Sequence, residues 1–156
     1  MFLVSDTIET RHKFIEGILE GQYAVAGLLL AAAEFERTVR RAILGLGSSP
    51  TKHIRAAVLS HPKMKGFAGY KKAWNAEVYP RLKQHLAGDV VPHWDEVCRA
   101  FKLRNRLIHG EPRKYSSEFV RTNALAILKA SRAVHELAAD EKVNLDTVIR
   151  RIKART

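Results

Sequence analysis

The chain is poor in cysteine and contains no apolar run long enough to span a membrane. Among its 156 residues is one cysteine, Cys98, so no disulfide framework can form within the chain. Cys98 follows Val97 on a predicted apolar helix face, so we expect a small core residue. The apolar run from Ala24 to Ala33 is about half of the ~20 residues that a transmembrane helix needs, which predicts a buried core helix and no membrane partner. The chain turns acidic at Asp6, too soon for a secretory signal, and the expected location is cytoplasmic.

Metal-binding patterns are also missing. The seven histidines are scattered, no cysteine pair exists, and neither His-x-x-x-His nor His-Glu-x-x-His occurs. We therefore expect no metal and no cofactor.

Acidic residues are scarce relative to basic ones. Lysine and arginine total 27 against 16 acidic residues, a net charge of +11, which favours a polyanion as partner. The positive charge concentrates between residues 99 and 114, with six basic residues and one acidic residue, whereas residues 1–20 carry four acidic and two basic residues. The predicted RNA-binding residues in this stretch are Arg99, Lys102, Arg106, Arg113 and Lys114.

A second basic stretch contains aromatic residues. Lys63, Lys65, Lys71 and Lys72 are interleaved with Phe67, Tyr70 and Trp74. This pattern fits either an RNA track with stacking side chains or solvated charges that flank core aromatics. For Trp74 the core interpretation is favoured.

The hydrophobic pattern is helical throughout and predicts an all-α fold. We expect one domain over residues 1–156, an up-and-down bundle of about five or six helices. Its core should span about residues 21–139, with a short N-terminal segment before it and a basic C-terminal helix after it. The predicted helices lie at 21–44, at 51–59, around Tyr70 to Leu82, from Trp94 onward, after a cap at Ser116 or Ser117, and at 145–152.

The helix that begins at Trp94 is predicted to end in the sequence RNRLIH, residues 104–109. Gly110 suits the left-handed position just past a helix, and Pro112 cannot continue the helix. His109 should therefore lie accessible in the last turn. Arg104 projects from the apolar face, where a guanidinium is costly unless it meets an anion, a carboxylate or a subunit interface.

The neighbours of these two residues suggest a division of labour. Asn105 lies one turn before His109 and is predicted to orient the imidazole. Arg104 and Arg106 are predicted to approach a phosphate from either side. For the carboxylate partner of Arg104 we consider Glu34 and Glu36, and a solvated helix face is the simpler interpretation of Glu36.

An Arg-Asn-x-x-x-His sequence at the end of a helix, with a Trp at the start of that helix and a Gly after the His, resembles the HEPN superfamily. The resemblance covers about residues 21–139. It implies a metal-independent ribonuclease that acts as a toxin or as an antiviral or stress effector. HEPN proteins that pair with a nucleotidyltransferase antitoxin often carry a modifiable Tyr two residues after the His. Here that position is Glu111, the nearest candidate is Tyr115, and any antitoxin or regulatory partner stays unspecified.

The sequence therefore predicts an endoribonuclease in which His109 performs acid–base chemistry, Arg104 stabilises the transition state and Asn105 assists. One His109 per chain is too few for a two-histidine mechanism, so we expect a homodimer with a composite cleft. The alternative is a non-catalytic RNA-binding or assembly subunit with the same fold. In a third interpretation, Arg104 merely ties helices together through a carboxylate.

Overall fold

The computed structural model describes residues 7–64, 66–111 and 113–146, and in these residues the fold is helical without a β-strand. The prediction of an all-α fold is confirmed. The described helices are α1 (Ile8–Glu20), α2 (Ala24–Leu46), α3 (Lys52–Ser60), α4 (Gly66–Glu77), α5 (Tyr79–Leu82), α6 (Trp94–Ile108) and α7 (Ser117–Asp140), with a 3-10 turn at Pro62–Met64.

Helix α2 is the centre of the bundle. It packs most extensively against α7 and also contacts α1, α3, α4 and α6. The ring of Phe35, fully buried on α2, lies 6.2 Å from the ring of Trp94 and 5.7 Å from that of Phe101, measured between centroids. These contacts hold α6 against the core by burying large apolar rings, which contribute area and edge-to-face attraction. They fix the helix that carries the predicted site.

Several predicted boundaries agree with the structure, and one predicted helix is divided in two. Ser116 caps α7, because its hydroxyl accepts a hydrogen bond from the backbone N–H of Phe119 at 3.1 Å. The predicted helix around Tyr70 to Leu82 separates at Val78 into α4 and α5. Pro80 explains the break, since it lacks an N–H and is tolerated in the first turn of a helix, where it lies in α5.

Helix α1 corrects the expectation of a short segment before the core. Its buried residues include Arg11 and His12 as well as Ile8, Ile15 and Leu19. Charged residues on the inward face interrupt the apolar stripe by which a helix is normally identified from sequence. The core therefore begins before residue 21.

The end of the described chain also contributes to the core. Leu145 is buried, and its backbone carbonyl accepts a hydrogen bond from Arg41. The predicted C-terminal helix at 145–152 falls almost wholly outside the described residues, which end at Asp146.

Candidate functional site

The last turn of α6 positions Arg104, Asn105 and His109. Arg104 is half-buried, and its Nη1 donates a hydrogen bond to Oδ1 of Asn105 at 3.0 Å. The Nε of Arg104 is buried and has no hydrogen-bond partner among the described residues. A buried donor without a partner costs roughly 1–3 kcal/mol, more for a charged group. A rearrangement that brought an acceptor to this N–H would recover that cost.

His109 directly follows α6 as its C-cap and is exposed. Its backbone N–H donates to the carbonyl of Asn105 at 3.0 Å, and Gly110 takes a φ of +69°, the left-handed conformation that glycine adopts without strain. The predicted helix end and the accessibility of His109 are confirmed. Among the described residues the imidazole of His109 has no hydrogen-bond partner, and the side chain is exposed.

Asn105 has a different contact from the predicted one. Its Oδ1 accepts from Arg104, its sequence neighbour, rather than orienting the imidazole of His109. The i to i+4 spacing places Asn105 and His109 on one side of the helix, but His109 lies beyond the last helical residue, Ile108. Asn105 thus steadies the guanidinium of Arg104 in this chain.

Glu34 is not the partner of Arg104. Its carboxylate is fully buried, and both oxygens accept from Nε of Arg11 at 2.9 Å. Thr38 and Arg37 also approach this carboxylate, at 3.4 and 4.0 Å. A buried carboxylate needs a close cation, and Arg11 on α1 supplies it. The possible pairing of Glu34 with Arg104 is therefore wrong. The hydrophobic pattern did not identify α1, which carries the actual partner, Arg11.

Three of the predicted RNA-binding residues lie together. Arg99, Lys102 and Arg106 project from α6 into a groove of about 440 Å³ between α6 and α7. The opposite side of this groove is formed by Tyr115, Phe119, Thr122, Asn123 and Ala126, and Glu96 and Leu103 complete it. The clustering of three cations along one groove produces a positive local field that favours anions.

The loop between α6 and α7 places one carboxylate, that of Glu111, beside the positive charges of Arg106 and Arg113. Glu111 lies 3.5 Å from Nε of Arg106 and 3.7 Å from Nε of Arg113, and it accepts a hydrogen bond from the hydroxyl of Tyr115 at 3.4 Å. Lys114 is exposed in the same loop. Glu111 therefore neutralises part of the positive charge of Arg106 and Arg113 in the free protein. Exposed pairs of this kind are worth at most about 1 kcal/mol, so a phosphate can replace the carboxylate.

The second basic stretch belongs mostly to the core. Trp74 and Tyr70 are buried, and the indole N–H of Trp74 donates to the carbonyl of Gln84 at 2.9 Å. The core interpretation of Trp74 is confirmed. Phe67 is half-buried and stacks on Phe101 at 4.2 Å and on Trp94 at 5.0 Å, measured between ring centroids.

A smaller cleft of about 320 Å³ lies beside these stacked rings, between α4 and α6. Lys71, Lys102 and Asn105 line it together with Cys98, which is half-buried rather than fully in the core. Burial and the nearby Asp95 raise the pKa of the Cys98 thiol, so it is not an activated nucleophile. Lys102 borders both this cleft and the larger groove.

A buried charge network was not predicted from the sequence. Besides Glu34, Arg11 binds Asp146, with its Nη2 3.0 Å from Oδ1, and Asp146 lies 3.2 Å from Nε2 of His135. His12 is buried beside Arg132, and burial together with the charges of Arg132 and Arg11 lowers its pKa from 6.5 to about 4. Helix α1 can be identified from sequence if an arginine is accepted on its inner face. The signal is the helical spacing of Ile8, Arg11, Ile15 and Leu19.

The described residues form neither a cluster of metal ligands nor a membrane-spanning helix. In residues 7–64, 66–111 and 113–146, no group of three or more His, Cys, Asp or Glu side chains is arranged to hold a metal ion. None of the described helices is long and apolar enough to cross a membrane.

Comparison with known proteins gives no match: no protein-family model, curated protein or solved structure matches the chain. The likeness of residues 104–109 to the HEPN motif therefore stays a resemblance. What the chain does has to be inferred from the geometry around α6.

Proposed function

We propose that the chain is a metal-independent endoribonuclease of the HEPN type. The observation that carries this proposal is the end of α6, where the half-buried Arg104 retains an unpaired Nε and the exposed His109 follows the last helical turn. A guanidinium suits the charged oxygens of a phosphate, and an exposed imidazole suits proton transfer. The adjacent groove with Arg99, Lys102 and Arg106 supports RNA as the partner.

The proposed reaction uses Arg104 and two proton-transfer groups. A general base takes the proton of a ribose 2′-hydroxyl, and the 2′-oxygen forms a bond to phosphorus. The bond from phosphorus to the 5′-oxygen breaks, and a general acid protonates that oxygen. The products are a 2′,3′-cyclic phosphate and a 5′-hydroxyl, with His109 in the proton transfers and Arg104 on the charged phosphorane.

The reaction uses two proton-transfer groups, so the proposal includes a homodimer in which two copies of His109 share one cleft. Three exposed apolar side chains support this arrangement: Val25 and Leu29 on α2 and Ile108 on α6, at 42%, 36% and 49% exposure. Helices α2 and α6 are in contact with each other, and burial of such side chains favours association. Arg104, on α6 with Ile108, would then meet the interface that a half-buried guanidinium requires.

The alternative function is a non-catalytic RNA-binding or assembly subunit. The groove between α6 and α7 favours this role as much as it favours catalysis, because binding requires only its cations and aromatic rings. The purely structural interpretation of Arg104 has less support. In the described residues no carboxylate lies within ion-pair distance of Arg104, and Glu34 is occupied by Arg11. A role as toxin or defence effector rests on the family resemblance alone.

The proposal is tested by incubating the purified protein with RNA in EDTA and mapping the ends of the fragments. We expect cleavage to persist, to leave cyclic phosphate and 5′-hydroxyl ends, and to fail where the scissile nucleotide is 2′-deoxy. A mock purification from cells that lack the protein serves as the control for contaminating nucleases. Cleavage that stops on chelation and returns with magnesium would contradict the mechanism, and equal cleavage by His109→Ala would exclude His109 from it.

A further inference from the structure

An aromatic pair lies at the start of α7, opposite the basic side of α6. The rings of Tyr115 and Phe119 stack with centroids 5.6 Å apart and an angle of 15° between their planes. Tyr115 is half-buried, whereas Phe119 is 48% exposed although it is a large apolar side chain. Exposure of one ring of a stacked pair leaves an aromatic surface on which a further flat group can stack.

The position of Tyr115 is fixed by its other contacts. Its hydroxyl donates to Glu111, and its ring packs against the edge of the hydrophobic core. Phe119 belongs to the first turn of α7, whose N-terminus is capped by Ser116. The outer ring is therefore presented by a capped helix and backed by a packed neighbour, so little conformational entropy is lost when a ligand binds.

The charges in the groove specify the ligand. Arg99, Lys102 and Arg106 form its α6 side, and Thr122 and Asn123 lie on its α7 side. The Thr122 hydroxyl and the Asn123 amide donate to backbone carbonyls of α7 itself. Among the residues that line the groove, Glu96 is the acidic one. Glu111 does not line the groove but lies 3.5 Å from Nε of Arg106. Cations on one wall and an exposed ring on the other match a ligand with a negative backbone and flat bases, which is single-stranded nucleic acid.

We propose that the groove between α6 and α7 is a subsite for single-stranded RNA, in which an unpaired base stacks on Phe119 and Tyr115 while Arg99, Lys102 and Arg106 hold the adjoining phosphates. The choice of RNA rather than DNA rests on the proposed function, whereas the stacking does not. Duplex RNA is a poor ligand for this subsite, because its bases already stack on one another. The subsite thus directs the chain toward loops and unpaired ends.

The test measures binding rather than cleavage. The probe is a short single-stranded RNA with a 2-aminopurine base, whose fluorescence falls when the base stacks on an aromatic ring. His109→Ala protein keeps the probe intact during the titration. Phe119→Ala and Phe119→Leu should each weaken binding by about 5- to 150-fold and abolish the quenching, while Phe119→Trp should retain both. Phe119→Leu preserves apolar packing, so its loss of binding reports the aromatic face and not misfolding.

A matched control lies on the same helix. Leu125 is 43% exposed on α7 but does not line the groove, and Leu125→Ala should bind as the parent does. Duplex RNA and an RNA with abasic sites should bind more weakly than the intact single strand. Equal affinity for these three RNAs, or unchanged quenching in Phe119→Leu, would overturn the subsite.

Failure of the subsite is distinguishable from failure of the nuclease. If the protein binds the probe and quenches its fluorescence but never cuts RNA, the subsite is supported and the catalytic proposal is contradicted. If the protein cuts RNA and the Phe119→Leu variant binds the probe as tightly as the parent does, the nuclease is supported and the subsite is contradicted.

Discussion

Glu111 offers the most specific prediction about the basic surface, because it is the carboxylate that Arg106, Arg113 and Tyr115 all contact. Glu111→Gln removes the negative charge while retaining an acceptor for Tyr115. The two ion pairs span 3.5 and 3.7 Å and involve arginines that are 55% and 73% exposed. Each exposed pair is worth about 0.2–1 kcal/mol.

If RNA phosphates replace this carboxylate, binding to the parent protein must break both of its ion pairs. In Glu111→Gln these pairs are absent, so their free energy is no longer lost on binding. The gain of about 0.4–2 kcal/mol corresponds to about 2- to 30-fold tighter binding. It should shrink as salt increases, since exposed charges are screened. Fluorescence anisotropy with a labelled single-stranded RNA, in the His109→Ala background, measures this change.

Glu136→Gln is the matched control, since Glu136 is exposed on α7 and the substitution changes the net charge equally. A similar gain in both variants would show that net charge alone is responsible. Unchanged or weaker binding by Glu111→Gln would mean that Arg106 and Arg113 do not contact RNA.

Three further predictions concern the motif, the loop and the buried histidine. His109→Ala should leave a folded protein that binds RNA but cuts it at least ~100-fold more slowly, and Arg104→Ala should lose rate more than affinity, as single-turnover and binding assays can separate. Replacing Arg113 and Lys114 together should flatten the salt dependence of RNA binding by about 0.7 log unit per lost phosphate contact, and an unchanged slope removes the loop from the RNA footprint. The pKa of His12 is lowered to about 4, so an unfolded chain takes up a proton below about pH 6.5 that the folded chain excludes. His12 should thereby contribute a fall of about 2 kcal/mol in folding stability from pH 7 to pH 5, against an opposite contribution from Glu34, whose pKa is raised by burial. Urea titrations should show that His12→Gln flattens this dependence while the exposed His53→Gln does not, and equal pH dependence in all three proteins would contradict the assignment.

The parts of the fold that follow from local chemistry were predictable. Gly110 ends α6 by taking a left-handed backbone conformation, and Ser116 begins α7 as its N-cap. Both effects involve only a few neighbouring residues, so these two boundaries can be derived from sequence. Pro80 divides α4 from α5 for an equally local reason, although the apolar spacing from Tyr70 to Leu82 concealed it.

The interactions that sequence reasoning missed depend on distant residues. Glu34 lies on α2 within an apolar stripe, and only the placement of α1 decides that Arg11 rather than Arg104 neutralises it. Such pairings are set by tertiary packing, about which hydrophobic periodicity carries no information.

The most direct test of the central claim is the cleavage rate of a mixed dimer that carries His109→Ala in one chain only. Two differently tagged copies allow this dimer to be purified over both tags in turn, and sedimentation confirms that it is dimeric. If two copies of His109 act in one shared cleft, the mixed dimer should cut RNA almost as slowly as the fully substituted dimer, because one of the two proton transfers has lost its group. About half of the wild-type rate would show that each protomer cuts alone, and would contradict the composite site.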